Sequence, residues 1–112
     1  MILLIRGTSQ PFQFNIQYES SEISEVRIIF WQLDNDGTED CILPLTKTKE
    51  MCVFDDTKKT ISVTLNQIET FAFNTDRKAY VQLKGITTDG FVFASRETPI
   101  TVYPIKDETI ME

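Results

Sequence analysis

The residues with the clearest chemical potential are four acidic side chains grouped in the stretch DNDGTED, residues 34–40. They are Asp34, Asp36, Glu39 and Asp40. Clustered carboxylates can bind calcium, and a carboxylate can also act as a general acid or base. A calcium-binding EF-hand loop needs glycine at its sixth position and glutamate at its twelfth. Counted from the first aspartate, this stretch has Gly37 at its fourth position and Leu45 at its twelfth. The mismatch favours a solvated hairpin turn over a calcium site.

Histidine is absent from the 112 residues, which removes the commonest general base and the commonest metal ligand. Without histidine there is no Ser-His or Cys-His pair to activate a nucleophile, and two cysteines alone cannot hold a structural zinc ion. We therefore expect that the protein is not an enzyme and that it uses no cofactor. The two cysteines, Cys41 and Cys52, are expected to be free and to pack as small hydrophobes, with a cross-strand disulfide as the alternative.

The charge balance is acidic, with 17 acidic and 11 basic residues and a net charge of −6. Such a surface repels phosphate backbones, and the basic residues are scattered rather than interleaved with aromatics, so no nucleic-acid partner is expected. The opening MILLIRG is far too short for a signal-peptide core or a membrane-spanning helix. We expect synthesis in a reducing cytoplasm and no membrane partner.

Short runs of alternating apolar and polar residues dominate the chain and predict β-strands. In FQFNIQY, the residues Phe12, Phe14, Ile16 and Tyr18 share one face. EVRIIFWQL sets Val26, Ile28 and Phe30 against Arg27, Ile29, Trp31 and Leu33, and its two apolar faces indicate a central strand. TISVTL, AYVQLKG and PITVYPI place the following residues inward: Ile61, Val63, Leu65, Ala79, Val81, Leu83, Ile100 and Val102.

Turn and breaker residues complete the predicted fold. Asn66 and Glu69 have the spacing of a capping box, which predicts a short helical turn near residues 66–70. Gly90 supplies the positive φ that the turn TTDG needs, and Pro44 places its strand at a sheet edge or a bulge. The sequence therefore predicts an all-β fold: one domain, residues 1–112, forming an immunoglobulin-like sandwich of about seven to nine antiparallel strands.

The aromatic residues are the best candidates for a binding surface. A domain of this size cannot bury both faces of every strand, so some of the eight phenylalanines, three tyrosines and Trp31 are expected at an interface. In FVFAS, the two phenylalanines share one face and Val92 lies on the other. The candidate interface residues are Trp31, Tyr80, Phe91, Phe93 and Pro44, together with the segment KDETIME, residues 106–112.

Three stretches resemble small immunoglobulin-like virion proteins of phages and prophages from Gram-positive bacteria, including the N-terminal modules of upper baseplate proteins. They are IRGTSQPFQFNI, ISVTLNQIETFAF and YVQLKGITTDGFVFAS followed by ITVYPI. The first resembles a strand ending in Arg-Gly-Thr before an alternating Phe-x-Phe-x-Ile, and the last a Val-Gln-x strand with an Asp-Gly hairpin. Lys84 matches the basic residue of that strand only loosely, and residues 34–54 are particular to this chain. The family supplies no catalytic or ligand residues.

The resemblance implies a structural component of a virion, in the tail, baseplate, connector or head surface. Its partners would be other virion proteins and further copies of itself, and it would act through shape and edge strands rather than chemistry. Two alternatives remain. One is a small acidic phage-encoded inhibitor of a host defence protein such as a nuclease. The other is a carbohydrate-binding sandwich with Trp31, Tyr18 and Tyr80 as its sugar platform.

Overall fold

A computed structural model describes residues 2–33, 45–75, 78–106 and 111. Within these ranges the chain forms nine strands, one α-helix and two single 3₁₀ turns. The strands are β1 (Ile2–Ile5), β2 (Gln10–Asn15), β3 (Ile23–Gln32), β4 (Leu45–Thr48), β5 (Val53–Asp55), β6 (Thr60–Leu65), β7 (Ala79–Thr87), β8 (Val92–Ala94) and β9 (Thr98–Tyr103). The helix is α1 (Gln67–Phe71), and the 3₁₀ turns are Ser20–Glu22 and Lys49–Met51.

The strands form two sheets that pack as a sandwich, which confirms the predicted all-β fold. One sheet has six strands in the order β1-β9-β7-β3-β4, with β8 also paired to β7, and the other has the order β2-β6-β5. In an immunoglobulin-like sandwich, strands B, E and D form part of one sheet and strands C, F and G form the other. The sheet β2-β6-β5 has the grouping of B, E and D, and the neighbouring strands β9, β7 and β3 have that of G, F and C. The long strand β3 is flanked by β4 and β7, so it is central as predicted.

One pairing differs from the antiparallel expectation, because β1 lies parallel to β9. The chain turns at Gly7, where φ is +79°, and passes from the six-stranded sheet to the three-stranded sheet. Since β1 and β2 are in different sheets, they do not form a hairpin, and β1 pairs with the last strand instead. The predicted strand FQFNIQY is shorter than expected, because β2 ends at Asn15.

The core lies between the sheets and contains the inward residues that alternation predicts. Phe30 from β3 and Phe12 from β2 meet edge to face, with ring centroids 5.0 Å apart. The other fully or nearly fully buried apolar residues include Leu4, Ile23, Val26, Ile28, Ile61, Val63, Leu65, Phe73, Ala79, Val81, Leu83, Ile100 and Val102. Where apolar and polar residues alternate along a strand, alternation is reliable because a one-residue slip in register would turn the inward side chains of that strand to solvent.

The predicted helical turn is present and begins at a capping box. The Asn66 side chain accepts a hydrogen bond from the Glu69 N–H, and the Glu69 carboxylate accepts one from the Asn66 N–H, both at 2.9 Å. Thr70 then connects the helix to the turn after β1, since its hydroxyl donates to Thr8 O and accepts from the Gly7 N–H. The helix therefore closes one end of the sandwich.

Several sequence predictions fall on residues outside the described ranges. They are the hairpin turn and possible calcium loop of residues 34–40, the strand containing Pro44, and the pairing of Cys41. Of the segment KDETIME, only Lys106 and Met111 are described.

Candidate protein-interaction surface

The outer face of the six-stranded sheet, which points away from the three-stranded sheet, presents two of the predicted aromatic residues together. Strand register places Trp31 of β3 directly opposite Tyr80 of β7. The buried residues Phe30 and Val81 occupy the next paired positions on these strands, so Trp31 and Tyr80 point outward. Their rings stack with centroids 5.7 Å apart and planes inclined by 26°. Both side chains are half-buried, so the stacked pair keeps a solvent-facing side.

The aromatic pair continues into exposed apolar residues at the β9 and β1 edge. Pro99 of β9 is paired with Tyr80, and Tyr103 is paired with Ile5 of β1. Leu3 and Ile5 are 52% and 43% exposed, and Tyr103 is 46% exposed. We call this set of residues the outer patch: Leu3, Ile5, Trp31, Tyr80, Pro99 and Tyr103.

Four members of the outer patch were not identified from the sequence, although a signal for two of them was present. Once Ile100 and Val102 are placed inward, alternation along β9 places Pro99 and Tyr103 outward. Leu3 and Ile5 were harder to assign, because the run ILLI is apolar at every position and does not indicate which face is exposed.

The two strands that form one side of the outer patch carry no charge. Neither β1 nor β9 contains a charged residue. The outer-face charges on β3 and β7 lie toward one end of the sheet, where Arg27 pairs with Lys84 across the strands and forms a 3.0 Å ion pair with Glu25. Lys78 immediately precedes the first residue of β7, at the other end of the sheet from Lys84. An apolar, aromatic centre with charges at its margins is typical of a protein-protein interface.

The other two predicted aromatics that the structure describes lie elsewhere. Phe93 packs against Tyr18 with ring centroids 5.0 Å apart, and it covers the backbone of Gly85. Phe91 is 59% exposed and lines the same groove as Phe93. The two phenylalanines therefore lie near each other, but separate from the outer patch. Pro44, the fifth candidate, lies outside the described residues.

This arrangement also corrects the proposed sugar platform. Trp31 and Tyr80 stack on the outer sheet face, whereas Tyr18 contacts Phe93 beside β2 and β8. Tyr18 follows β2 in the three-stranded sheet, whereas Trp31 and Tyr80 lie on the outer face of the six-stranded sheet. The three rings therefore do not form one platform.

The described part of the chain contains no cluster of metal-ligating side chains, and its one described cysteine is free. No group of three or more Cys, Asp or Glu side chains converges there in a way that could hold a metal ion. Cys52 is free and half-buried, and its thiol donates a hydrogen bond to Thr48 O. Burial raises the pKa of the Cys52 thiol, so the reactive thiolate is scarce at neutral pH.

None of the helices that the structure describes has the length and hydropathy needed to cross a membrane. The chain matches no protein-family model, and no curated protein is significantly similar to it.

Proposed function

We propose that this protein is a structural component of a phage or prophage particle that assembles with its neighbours through the outer patch. The observation that carries the proposal is the uncharged aromatic and apolar surface formed by Trp31, Tyr80 and the β1–β9 edge. The resemblance of its strands and turns to small virion proteins supports the same assignment.

The composition of the outer patch suits assembly. Trp and Tyr are enriched among the residues that dominate binding energy, because each buries a large rigid surface with little loss of side-chain entropy. The stack between Trp31 and Tyr80 already restricts both rings before any partner arrives. In a protein of net charge −6, an uncharged surface also allows copies to approach without local repulsion.

Strand β1 offers a second means of contact. Among the described residues it is the last strand of its sheet, so one of its edges pairs with β9 and no described strand pairs with the other. Backbone groups on such an edge can accept a strand from a neighbouring molecule. The exposed Leu3 and Ile5 lie on the same strand, so edge and patch belong to one continuous surface.

The first experiment is quantitative mass spectrometry of purified particles from the source phage or the induced prophage. We expect the protein at a fixed copy number per particle, because a symmetric assembly repeats its subunits. Absence from particles, with abundant protein in the infected cell, would contradict the proposal and favour the inhibitor alternative. Capture of a host defence protein from such cells would then identify its target.

A second experiment tests the surface itself with the double variant W31S/Y80S. We expect it to remain folded but to be lost from particles, since its apolar contact area is removed. The matched control is I68S, which removes an apolar side chain that is 70% exposed on α1, away from the sheets' strands. Incorporation of W31S/Y80S at the normal copy number would show that the outer patch is not the assembly surface.

A further inference from the structure

A second surface, independent of the outer patch, lies where the two sheets leave the side of the sandwich open. We call it the edge groove, and it runs between β2 with the residues that follow it and β8. Its lining residues are Gln13, Phe14, Asn15, Ile16, Gln17, Tyr18, Leu83, Phe91, Phe93, Ala94 and Ser95. None of these side chains is charged, although a quarter of the chain's residues are.

On one side of the groove, the outer edge of β2 has no strand partner among the described residues. Within this part of the chain β2 pairs with β6 alone, and just beyond its end the Ile16 N–H donates to Lys59 O at 2.9 Å. Antiparallel strands alternate between positions bonded to the partner and positions that point away from it. In this register Gln13 and Asn15 are the positions that point away from β6. Their N–H and C=O groups face the open side of the sandwich.

Pro11 occupies the preceding position of the same alternation and has no N–H. Proline at an outward position is a known way to block strand addition without losing a bond inside the sheet. The edge of β2 is thus blocked toward its start and open at Gln13 and Asn15, where the groove lies.

The other side of the groove repeats this arrangement. The Thr87 N–H donates to Phe91 O at 2.8 Å, and the Ser95 N–H donates to Leu83 O at the same distance. Because bonded and unbonded positions alternate between these two hydrogen bonds, the backbone N–H and C=O groups of Val92 and Ala94 point away from β7. The described residues place no strand on that edge.

Aromatic rings form the floor between the two edges. Phe93 and Tyr18 are in contact and pack against the core, together with the partly buried Phe14. Phe91 stands at the margin with 59% of its surface exposed. The groove therefore combines an apolar floor, neutral amide side chains from β2 and a strand edge on each side.

We propose that the edge groove accepts an extended, uncharged segment of a partner protein as an added β-strand. Backbone hydrogen bonds to β2 or β8 would supply affinity, and alternate apolar side chains of the segment would enter the aromatic floor. A charged side chain in the segment would lose hydration in a groove that offers it no opposite charge. The unpaired strand edges favour a peptide over a neutral glycan, which has no extended backbone of alternating donors and acceptors.

The probe is a capped synthetic peptide with the sequence TISVTL, which is that of β6. This sequence has no charge, alternates apolar and polar residues, and already pairs with the opposite edge of β2. Amide hydrogen exchange is measured by NMR with and without the peptide at about 1 mM. We expect slower exchange at Gln13 and Asn15, or at Val92 and Ala94, with the amides of the outer patch unchanged.

The matched control peptide carries Ile61→Asp and Val63→Asp, and we expect it to bind at least about tenfold more weakly. Equal binding of both peptides, or no slowed exchange at either edge, would overturn the proposal. A neutral oligosaccharide that shifts the Tyr18 and Phe91 resonances while the peptide shifts neither would identify a glycan site instead.

Two protein variants locate the contact. Q13P removes an outward N–H without removing a β2–β6 hydrogen bond, and F91S shortens an exposed ring at the groove margin. We expect each variant to unfold at nearly the wild-type temperature and to bind the neutral peptide about tenfold more weakly. Wild-type binding by both variants would contradict the proposal. W31S/Y80S should bind the peptide normally, so this result is independent of the assembly test.

Discussion

At the scale of single residues, the most informative contact is the ion pair between Lys47 and Glu69. Lys47 lies opposite Ile28 and therefore points into the sandwich from the edge strand β4. Its ammonium group lies 2.6 Å from the Glu69 carboxylate, and the two side chains are only 14% and 19% exposed. Glu69 also completes the capping box with Asn66. The pair thus joins β4 to α1. Each charge neutralises the other, because a largely buried charge without an opposite partner would destabilise the fold.

The titration of Glu69 follows from these contacts. Partial burial opposes ionisation, but hydrogen bonds from Lys47 and from the Asn66 N–H outweigh it, so the pKa of Glu69 lies below its ordinary value of 4.5. A carboxylate whose pKa is lowered in the folded state stabilises the protein at pH values above its ordinary pKa. That stabilisation disappears as the pH falls below 4.5 and through the folded-state pKa.

We therefore expect E69Q to lower the free energy of unfolding at pH 7 by about 1–2 kcal/mol, because the charged acceptor for Lys47 is lost. The difference from wild type should shrink as the pH falls below 4.5. Urea unfolding between about pH 3 and pH 7 measures this difference in stability, because that range spans the pH at which carboxylates titrate. E97Q, at an exposed glutamate before β9, is the control. A pH-independent difference for E69Q would show that the ion pair is not its cause.

At the scale of elements, local pattern is sufficient where apolar and polar residues alternate along a strand. It predicts the inward residues of β6, β7 and β9 and the helix cap at Asn66, whereas both faces of β3 are apolar and the pattern does not indicate which one is buried. Which strands pair is not readable in this way, because pairing depends on contacts between distant parts of the chain. The parallel β1–β9 pairing and the stacking of Trp31 on Tyr80 both depend on register between such strands.

One element-level feature is the close approach of Phe93 to the backbone of β7. A Cβ atom placed on Gly85 would lie 2.5 Å from the Phe93 Cζ atom. The glycine therefore leaves room for the ring to lie against the sheet, where it also contacts Tyr18. This packing connects the hairpin β7–β8 to the residues that follow β2.

We expect G85A to lower the free energy of unfolding by about 1–3 kcal/mol, because the ring must move. In a double-mutant cycle with F93A, the two effects should be less than additive, since removal of the ring removes the clash. Urea unfolding of the four proteins measures this coupling. The cycle with F91A serves as the control, because that ring is mostly exposed and is not among the nearest atoms to a Gly85 Cβ. Full additivity with F93A would contradict the explanation.

At the scale of the whole molecule, the protein presents two separate surfaces. The outer patch lies on the flat side of the six-stranded sheet, and the edge groove lies along the open side of the sandwich. Of the predicted interface residues, Trp31 and Tyr80 belong to the first, and Phe91 and Phe93 to the second. The sequence marked these aromatics as candidates, but their division into two surfaces needed the fold. If both proposals hold, one molecule holds two neighbours at once.

The parallel pairing of β1 with β9 has a mechanical consequence. Ile2 is paired with Ile100 and Ile5 with Tyr103, so Ile2 and Tyr103 lie at opposite ends of the two strands. Tension applied between these two residues would act along the strands and strain all four residue pairs together. Tension between Thr8 and Tyr103 would instead act at one end and separate the pairs in turn. Forced unfolding is governed by the unfolding rate, so single-molecule pulling should give a clearly higher rupture force for the first attachment. Equal forces would mean that another part of the sandwich breaks first.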